Sequence, residues 1–268
     1  MYKHHFGLTH APLGKDCKTL WGNGQLVDIE RQFNWLLQSP GVGMITAEPG
    51  LGKTAALRKL THDLNPHRYL VRYLAETDFG RLEFYRNLAK SLGLESSYRR
   101  IDLWRNIKEH ITQLATQKQI LPVLIIDEAH NLSQEFLRDF PSFLNFVFDS
   151  RDYMTVWLAG HPELARTIDR ASNAALASRL QARYTLRPVN DRDEFRQLVL
   201  HGFSEAGCTT TLLSDPGIEL LRMASKGNPR LVHQLLMTAL RLATDKKMNH
   251  LADDILKEAV HIHKQTWQ

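Results

Sequence analysis

The stretch Ala47-Glu48-Pro49-Gly50-Leu51-Gly52-Lys53-Thr54 sets two glycines, a lysine and a hydroxyl side chain in the order a phosphate-binding loop requires. Glycines let backbone N–H groups turn inward around phosphate oxygens, and the helix that opens at Lys53 adds its positive end to the same place. Lys53 is then within reach of β- and γ-phosphates, and the Thr54 hydroxyl is a ligand for Mg2+. The usual pattern begins with glycine where this chain has Ala47, a position set back from the phosphates. Residues Glu48, Pro49, Gly50, Leu51, Gly52, Lys53, Thr54 and Ala55 are the expected nucleotide contacts.

Leu124-Ile125-Ile126-Asp127-Glu128 is an apolar run that ends in two adjacent carboxylates. Carboxylates at the end of a buried strand are costly to desolvate and need a task. Asp127 is the expected second holder of Mg2+, through its water shell, and Glu128 the general base that polarises the attacking water.

Weaker signals extend the site. Thr155 to Pro162 reads as a strand whose end brings His161 beside a γ-phosphate, as a sensor. In Ser178-Arg179-Leu180-Gln181-Ala182-Arg183 the two arginines are four apart, which on a helix is one face. Either Arg179 or Arg183 is the expected arginine finger for a neighbouring subunit's nucleotide. Arg230, in Gly227-Asn228-Pro229-Arg230 at a helix start, is the expected reporter of nucleotide state.

The elements that carry these residues alternate. Strands are expected at 42–46, 69–74, 123–126, 154–159 and 184–186. Helices are expected at 53–64, 82–92, 103–118 and 136–148, and the sum is a parallel α/β sheet. After Pro188 strand signals cease and four helices follow, at 191–205, 215–225, 230–244 and 253–264. The division expected is an α/β domain over 1–188, with an N-terminal segment 1–23, and an all-helical domain over 189–268.

Composition bounds the rest. The 268 residues are 43% apolar and 24% charged, which excludes wholesale disorder and a collagen-like chain. Cys17 and Cys208 lie far apart with no CxxC partner, so no disulfide framework or cysteine zinc site is expected. The thirteen histidines show no zinc spacing and receive no metal role. There is no apolar signal core, and Val123 to Ile126 is far short of the ~18–20 residues of a membrane span. A soluble, cytoplasmic protein with no membrane partner is expected. The net charge of +5 lies wholly in residues 1–188, which hold 24 basic and 19 acidic groups, while the remainder holds ten of each.

The order of phosphate loop, Asp-Glu strand, polar residue after the next strand, late arginine and Gly-x-x-Arg in a helical lid resembles AAA+ ATPases. It is most similar to their ExeA-like branch. The residues that carry this are Tyr2 to Leu8 (Tyr-x-x-x-Phe-Gly-Leu), Asp-Glu-Ala-His-Asn-Leu at 127–132, Ala-Gly-His-Pro-Glu-Leu at 159–164 and Gly-Asn-Pro-Arg-Leu at 227–231. The resemblance implies a P-loop AAA+ fold, with a three-layer parallel-sheet ATPase domain and a small helical lid. It implies hydrolysis of ATP with Mg2+, stimulated by assembly and DNA.

Short members resemble the ATPases that accompany transposases, of the TnsC, TniB and Mu B kind. That implies a homo-oligomer, ring or filament, built with ATP on duplex DNA without sequence preference, and a transposase as partner in a mobile-element setting. The alternatives are a secretion-associated ATPase and a helicase loader or replication initiator. The implied DNA contacts are Arg81, Arg99, Arg100 and Arg105, within a basic stretch that also holds Arg86 and Lys108.

Overall fold

Runs of valine, isoleucine and leucine covered on both faces become strands of a parallel sheet, and amphipathic segments between them become its covering helices. The computed structural model describes residues 2–17, 19–75, 77, 80–208, 210 and 212–266, the side chain of residue 266 excepted. In chain order the elements are α1 (Tyr2–Phe6), α2 (Gly24–Gln38), β1 (Val42–Thr46), α3 (Lys53–His62), β2 (Tyr69–Leu74), α4 (Arg81–Ser91) and α5 (Arg100–Thr116). There follow β3 (Leu121–Ile126), α6 (Gln134–Phe143), β4 (Thr155–Gly160), α7 (Pro162–Ile168), α8 (Ala174–Ala177) and β5 (Leu180–Thr185). The last four are α9 (Arg192–Glu205), α10 (Asp215–Ser225), α11 (Pro229–Asp245) and α12 (Asp253–Thr266).

Two compact units result. One comprises residues 24–49 and 53–186 and contains the sheet. The other comprises 1–23, 50–52 and 187–268 and is helical.

The five strands are ordered β2-β3-β4-β1-β5 and all pair in parallel. Alternation along each strand separates two cores. Met44, Leu124, Ile126, Val156 and Leu158 face α4, α5 and α6 through Phe84, Tyr85, Ile107, Phe136 and Phe143. Ile45, Val123, Ile125, Trp157 and Ala159 face the other way, against Ile29, Phe33 and Leu36 of α2 and Leu57 of α3. This is the three-layer parallel-sheet architecture the resemblance implied, followed by an all-helical region. α2, which has Ile29, Phe33 and Leu36 at helical spacing, had no expectation attached to it.

Four expectations change. The helix expected over 136–148 stops at Phe143, and Val147, Phe148 and Asp149 follow with φ of 47°, 55° and 61°. Leu144 and Phe146 remain in the core, whereas Phe148 is fully exposed. The strand expected at 184–186 runs from Leu180 to Thr185, because it pairs along the whole of β1 from Val42 to Thr46. Arg179 and Arg183 therefore share no helical face: α8 ends at Ala177, and Arg183 lies within a strand.

The first 23 residues, expected with the sheet, belong to the helical unit. Phe6 and Leu8 are buried among Phe203, Leu235 and Leu256, Thr9 N–H donates to the Ala206 carbonyl (2.8 Å), and His233 Nδ1 lies 2.8 Å from the Pro12 carbonyl oxygen. Asp191, Ser214 and Asn228 cap α9, α10 and α11 by accepting from N–H groups of the first turn.

Candidate functional site

In parallel sheets, loops leaving the carboxyl ends of neighbouring strands converge. Here β3, β4 and β1 are adjacent, and they deliver Asp127-Glu128, Gly160-His161 and the 47–54 loop to one edge.

Gly50 and Gly52 have φ of 87° and 98°, conformations open to glycine and strained for other residues. Ala47 is fully buried, and its N–H donates to the Gly160 carbonyl (3.1 Å), so the position where glycine is usual serves as an anchor to β4. Lys53 is 6% exposed, and its Nζ donates to the Ala47 carbonyl oxygen at 2.8 Å. That bond holds the ammonium at the start of the loop, over the N-terminus of α3. Glu48, Pro49 and Thr54 are exposed, Leu51 is buried, and Gly50, Gly52 and Ala55 are half-buried.

Asp127 is 2% exposed and accepts three hydrogen bonds. Thr54 Oγ1 donates to its Oδ2 at 2.6 Å, Tyr73 Oη to the same oxygen at 2.9 Å, and the Glu128 N–H to Oδ1 at 2.9 Å. Donors of this kind satisfy the oxygens of a carboxylate in a nearly dry position. Burial, then the hydrogen bond to Asp127, pushes the Tyr73 hydroxyl well above the usual phenol range.

Glu128 adopts a left-handed conformation (φ 50°, ψ 34°), and its carbonyl accepts from the buried Thr77 hydroxyl at 2.8 Å. A non-glycine residue there carries strain of about 1–3 kcal/mol, which the surrounding bonds must sustain. The Glu128 carboxylate is 44% exposed, with Oε2 3.5 Å from His130 Nδ1 and 3.8 Å from His161 Nε2. The two imidazoles stack with centroids 3.9 Å apart, and the His161 N–H donates to His130 Nδ1 at 3.4 Å. Burial, followed by the neighbouring His161, holds His130 below the usual imidazole range. The residues fit ATP with Mg2+: a buried cation, a hydroxyl–carboxylate pair and an accessible second carboxylate share one edge.

Other expected residues are elsewhere. Leu180 pairs with Val42 and Thr185 with Thr46, so Arg179 sits at the amino-terminal edge of the sheet. At ~3.3 Å per residue it is about 15 Å along the strands from the phosphate loop. There its Nη2 donates to Asp149 Oδ1 at 2.7 Å, beside a cavity of about 160 Å3 that Asp152 and Gln181 also line. Burial raises the Asp152 carboxyl, which Arg179 opposes. Arg183 donates to Asp169 Oδ1 at 2.6 Å. Arg230 belongs to the helical unit, exposed in the first turn of α11, where its N–H is held by Asn228 Oδ1 at 3.0 Å.

The expected DNA contacts divide in two. Arg81 is bonded to Asp139 (2.7 Å) and lies 3.4 Å from Glu135, and Arg100 shares the same Asp139 oxygen while lying over Trp104. These two are tied into the sheet unit. Arg99 and Arg105 are exposed with no ion pair among the described residues, beside Tyr98, which is 91% exposed. Arg86 donates to the Ser97 carbonyl, and Lys108 to the Asn145 carbonyl over the Phe146 ring.

Sequence reasoning passed over Tyr73, Thr77 and Asp149, because nothing in a local pattern marks a residue whose partner is 30 or more positions away. His130 had a signal, its place directly after Asp-Glu-Ala.

Residues 36–168 match the family model described as AAA domain. The chain is 29% identical over 252 residues to general secretion pathway protein A of Aeromonas hydrophila, a match covering 90% of this chain and 44% of that protein. It thus spans less than half the length of that curated relative. Among solved structures it is similar to Cdc6p of Pyrobaculum aerophilum, with a TM-score of 0.69 at 17% identity over 96% of this chain and 70% of that one. It is also similar to the Aeropyrum pernix ORC1 protein, solved in complex with DNA, with a TM-score of 0.67 at 14% identity over 92% and 67%. No helix of the described residues is long and apolar enough to cross a membrane. With the phosphate loop, the Asp-Glu strand and the parallel sheet in register, residues 36–168 match an AAA domain whose groups fit ATP and Mg2+, and the chain is similar in sequence to a general secretion pathway protein and in fold to Cdc6 and ORC proteins.

Proposed function

We propose that this chain is an ATP-driven AAA+ switch that assembles with ATP on duplex DNA and hydrolyses ATP at sites completed by a neighbouring copy. The observation that carries the reading is the Thr54–Asp127 bond with Glu128 next to it, at the edge where Lys53 is buried. Thr54 and Asp127 orient the Mg2+ shell, Lys53 neutralises the phosphates and Glu128 takes the proton of the attacking water. Mg2+, when bound, offsets charge on the phosphate oxygens. His161 senses the γ-phosphate from the end of β4, and Arg230 reports nucleotide state to the helical unit.

Arg179 acts in trans. Its place about 15 Å from the loop of its own chain, along strands rising ~3.3 Å per residue, supports this over action in cis. Arg99 and Arg105 supply phosphate contacts that are independent of sequence and sensitive to salt. The client licensed by such an assembly is a DNA-processing enzyme, for which a transposase is the reading drawn from the resemblance to transposition-associated ATPases.

A second reading, a secretion-associated ATPase, is favoured by one observation: 29% identity over 90% of the chain to a secretion-pathway protein. Co-sedimentation with duplex DNA in ATP, ADP and no nucleotide separates the two. ATP-dependent co-sedimentation at low salt supports the first, and its absence leaves the second. Glu128→Gln is expected to retain ATP binding, prolong the assembly and stop turnover. Undiminished hydrolysis in that variant would overturn the role of Glu128.

A further inference from the structure

Glu128, His130 and His161 bring one carboxylate oxygen and two imidazole nitrogens within 4.8 Å of one another, on a half-buried patch open to solvent. His130 Nδ1 accepts from the His161 backbone N–H at 3.4 Å, a long bond that an ion would replace, and Glu128 Oε2 lies 3.5 Å away. Both atoms can serve a cation, a carboxylate oxygen and an imidazole nitrogen whose one lone pair is engaged by that long bond alone. A tetrahedral ion with bonds of ~2.0–2.1 Å separates its ligand atoms by about 3.4 Å, close to the 3.5 and 3.8 Å seen from Glu128 to the two rings.

The geometry points to a second metal site, made of Glu128, His130 and His161, that takes a borderline divalent ion of the Zn2+ class and in doing so removes Glu128 from hydrolysis. Two imidazoles with one carboxylate form a donor set that suits Zn2+, Co2+ or Ni2+ and is poor for Mg2+, which prefers oxygen ligands. The site is therefore chemically distinct from the Thr54–Asp127 pair. Closure around an ion requires the stacked rings, now 16° from parallel, to fan apart so that both lone pairs converge. His161 has room for that swing, since its side chain is 33% exposed and it sits at the N-cap of α7. No sequence spacing marks the cluster, because His161 comes 31 residues after His130.

Binding of the ion is independent of Glu128's role as base, whereas the inhibition rests on it, and the experiment reads them separately. The full chain without nucleotide is titrated with Co2+, followed by its visible absorption, and with Zn2+ by calorimetry in excess Mg2+. The expected result is one ion per chain, with affinity falling tenfold or more in His161→Asn and again in the His130→Gln, His161→Asn pair. The control His261→Ala, His263→Ala is expected to bind as before. Thermal melting confirms that each variant is folded, and the single exposed-site variant His161→Asn keeps the test valid if the pair is not. Absence of a Co2+ band, or unchanged binding in the folded variants, overturns the site. In Mg2+-ATP, free Zn2+ is expected to inhibit turnover at the concentration that fills the site. A filled site with undiminished hydrolysis overturns the inhibition and, with it, Glu128 as base, while the metal site stands.

Discussion

The Thr54 hydroxyl donates to Asp127 Oδ2 across 2.6 Å, so the two groups assigned to Mg2+, 73 residues apart in sequence, already face each other. Hydroxyl–carboxylate bonds of this length belong to the stronger, charge-assisted class. Thr54→Ala is expected to lower ATP turnover ~10- to 100-fold, the equivalent of losing about 1.5–3 kcal/mol. Thr54→Ser should restore most of it. Steady-state kinetics across a Mg2+ titration checks both variants, and a Thr54→Ala enzyme with unchanged Mg2+ dependence would contradict the pairing.

Tyr73 donates to the same oxygen from the neighbouring strand, and its pKa is raised by burial and by that bond. A phenol whose folded pKa lies above its unfolded value contributes stability that is complete below about pH 10 and is lost as pH rises beyond it. Tyr73→Phe is therefore expected to lower the melting temperature slightly at neutral pH, since Tyr73 is half exposed, and the gap from wild type should narrow progressively as pH rises above about 10. Melting curves at stepped pH decide it. A constant gap would mean that the hydroxyl does not couple to Asp127.

Arg179 is held by Asp149 in a turn of three successive left-handed residues, a conformation costing about 1–3 kcal/mol at each position. If the arginine acts on a neighbour, Arg179→Ala and Glu128→Gln should each be inactive alone, and mixing them should regain activity. The mixed assembly pairs an intact Glu128 with an intact Arg179. Arg183→Ala, which removes a β5 arginine tied to Asp169 after α7, should stay active alone. Failure of the mixture to recover, with both proteins assembled, would argue against action in trans.

Paired and unpaired arginines of the basic stretch should behave differently. Arg99→Ala with Arg105→Ala is expected to leave the melting temperature unchanged and reduce the slope of log affinity for duplex DNA against log salt by about 2. Arg81→Ala should instead lower stability, by up to about 1 kcal/mol, because it leaves Asp139 with one partner fewer. Binding isotherms at four salt concentrations and thermal melts separate the two effects. Equal DNA defects in both variants would refute the division.

The legible part of the molecule was the part governed by local rules. Val42–Thr46 and Tyr69–Leu74 are β-branched or apolar runs, and both are strands with the bounds expected. Asp215–Ser225 has a capping serine before it, and it too has the expected bounds. Lys53, Thr54, Asp127 and Glu128 could be named because each motif is contiguous and its chemistry is set by residue type. Errors arose where a longer-range contact outweighed local pattern. Arg183 reads as helical beside Arg179 until β1 supplies a strand partner along its whole length, and residues 1–23 look like a prelude to the sheet until Phe6 and Leu8 find their core among α9, α11 and α12.

What the sequence determined by itself was the nucleotide chemistry and the alternation of strands and helices, because phosphate binding and hydrophobic periodicity are written in neighbouring residues. Which groups meet across the fold was decided only by the tertiary structure. Tyr73 reaches Asp127 because β2 and β3 pair, and the Glu128–His130–His161 cluster exists because β3 and β4 are neighbours. Arg81 and Arg100 prove to be bound to Asp139, whereas Arg99 is left to solvent. The charge of a side chain is set by its type, but whether that charge is already neutralised depends on which distant segment the sheet brings alongside.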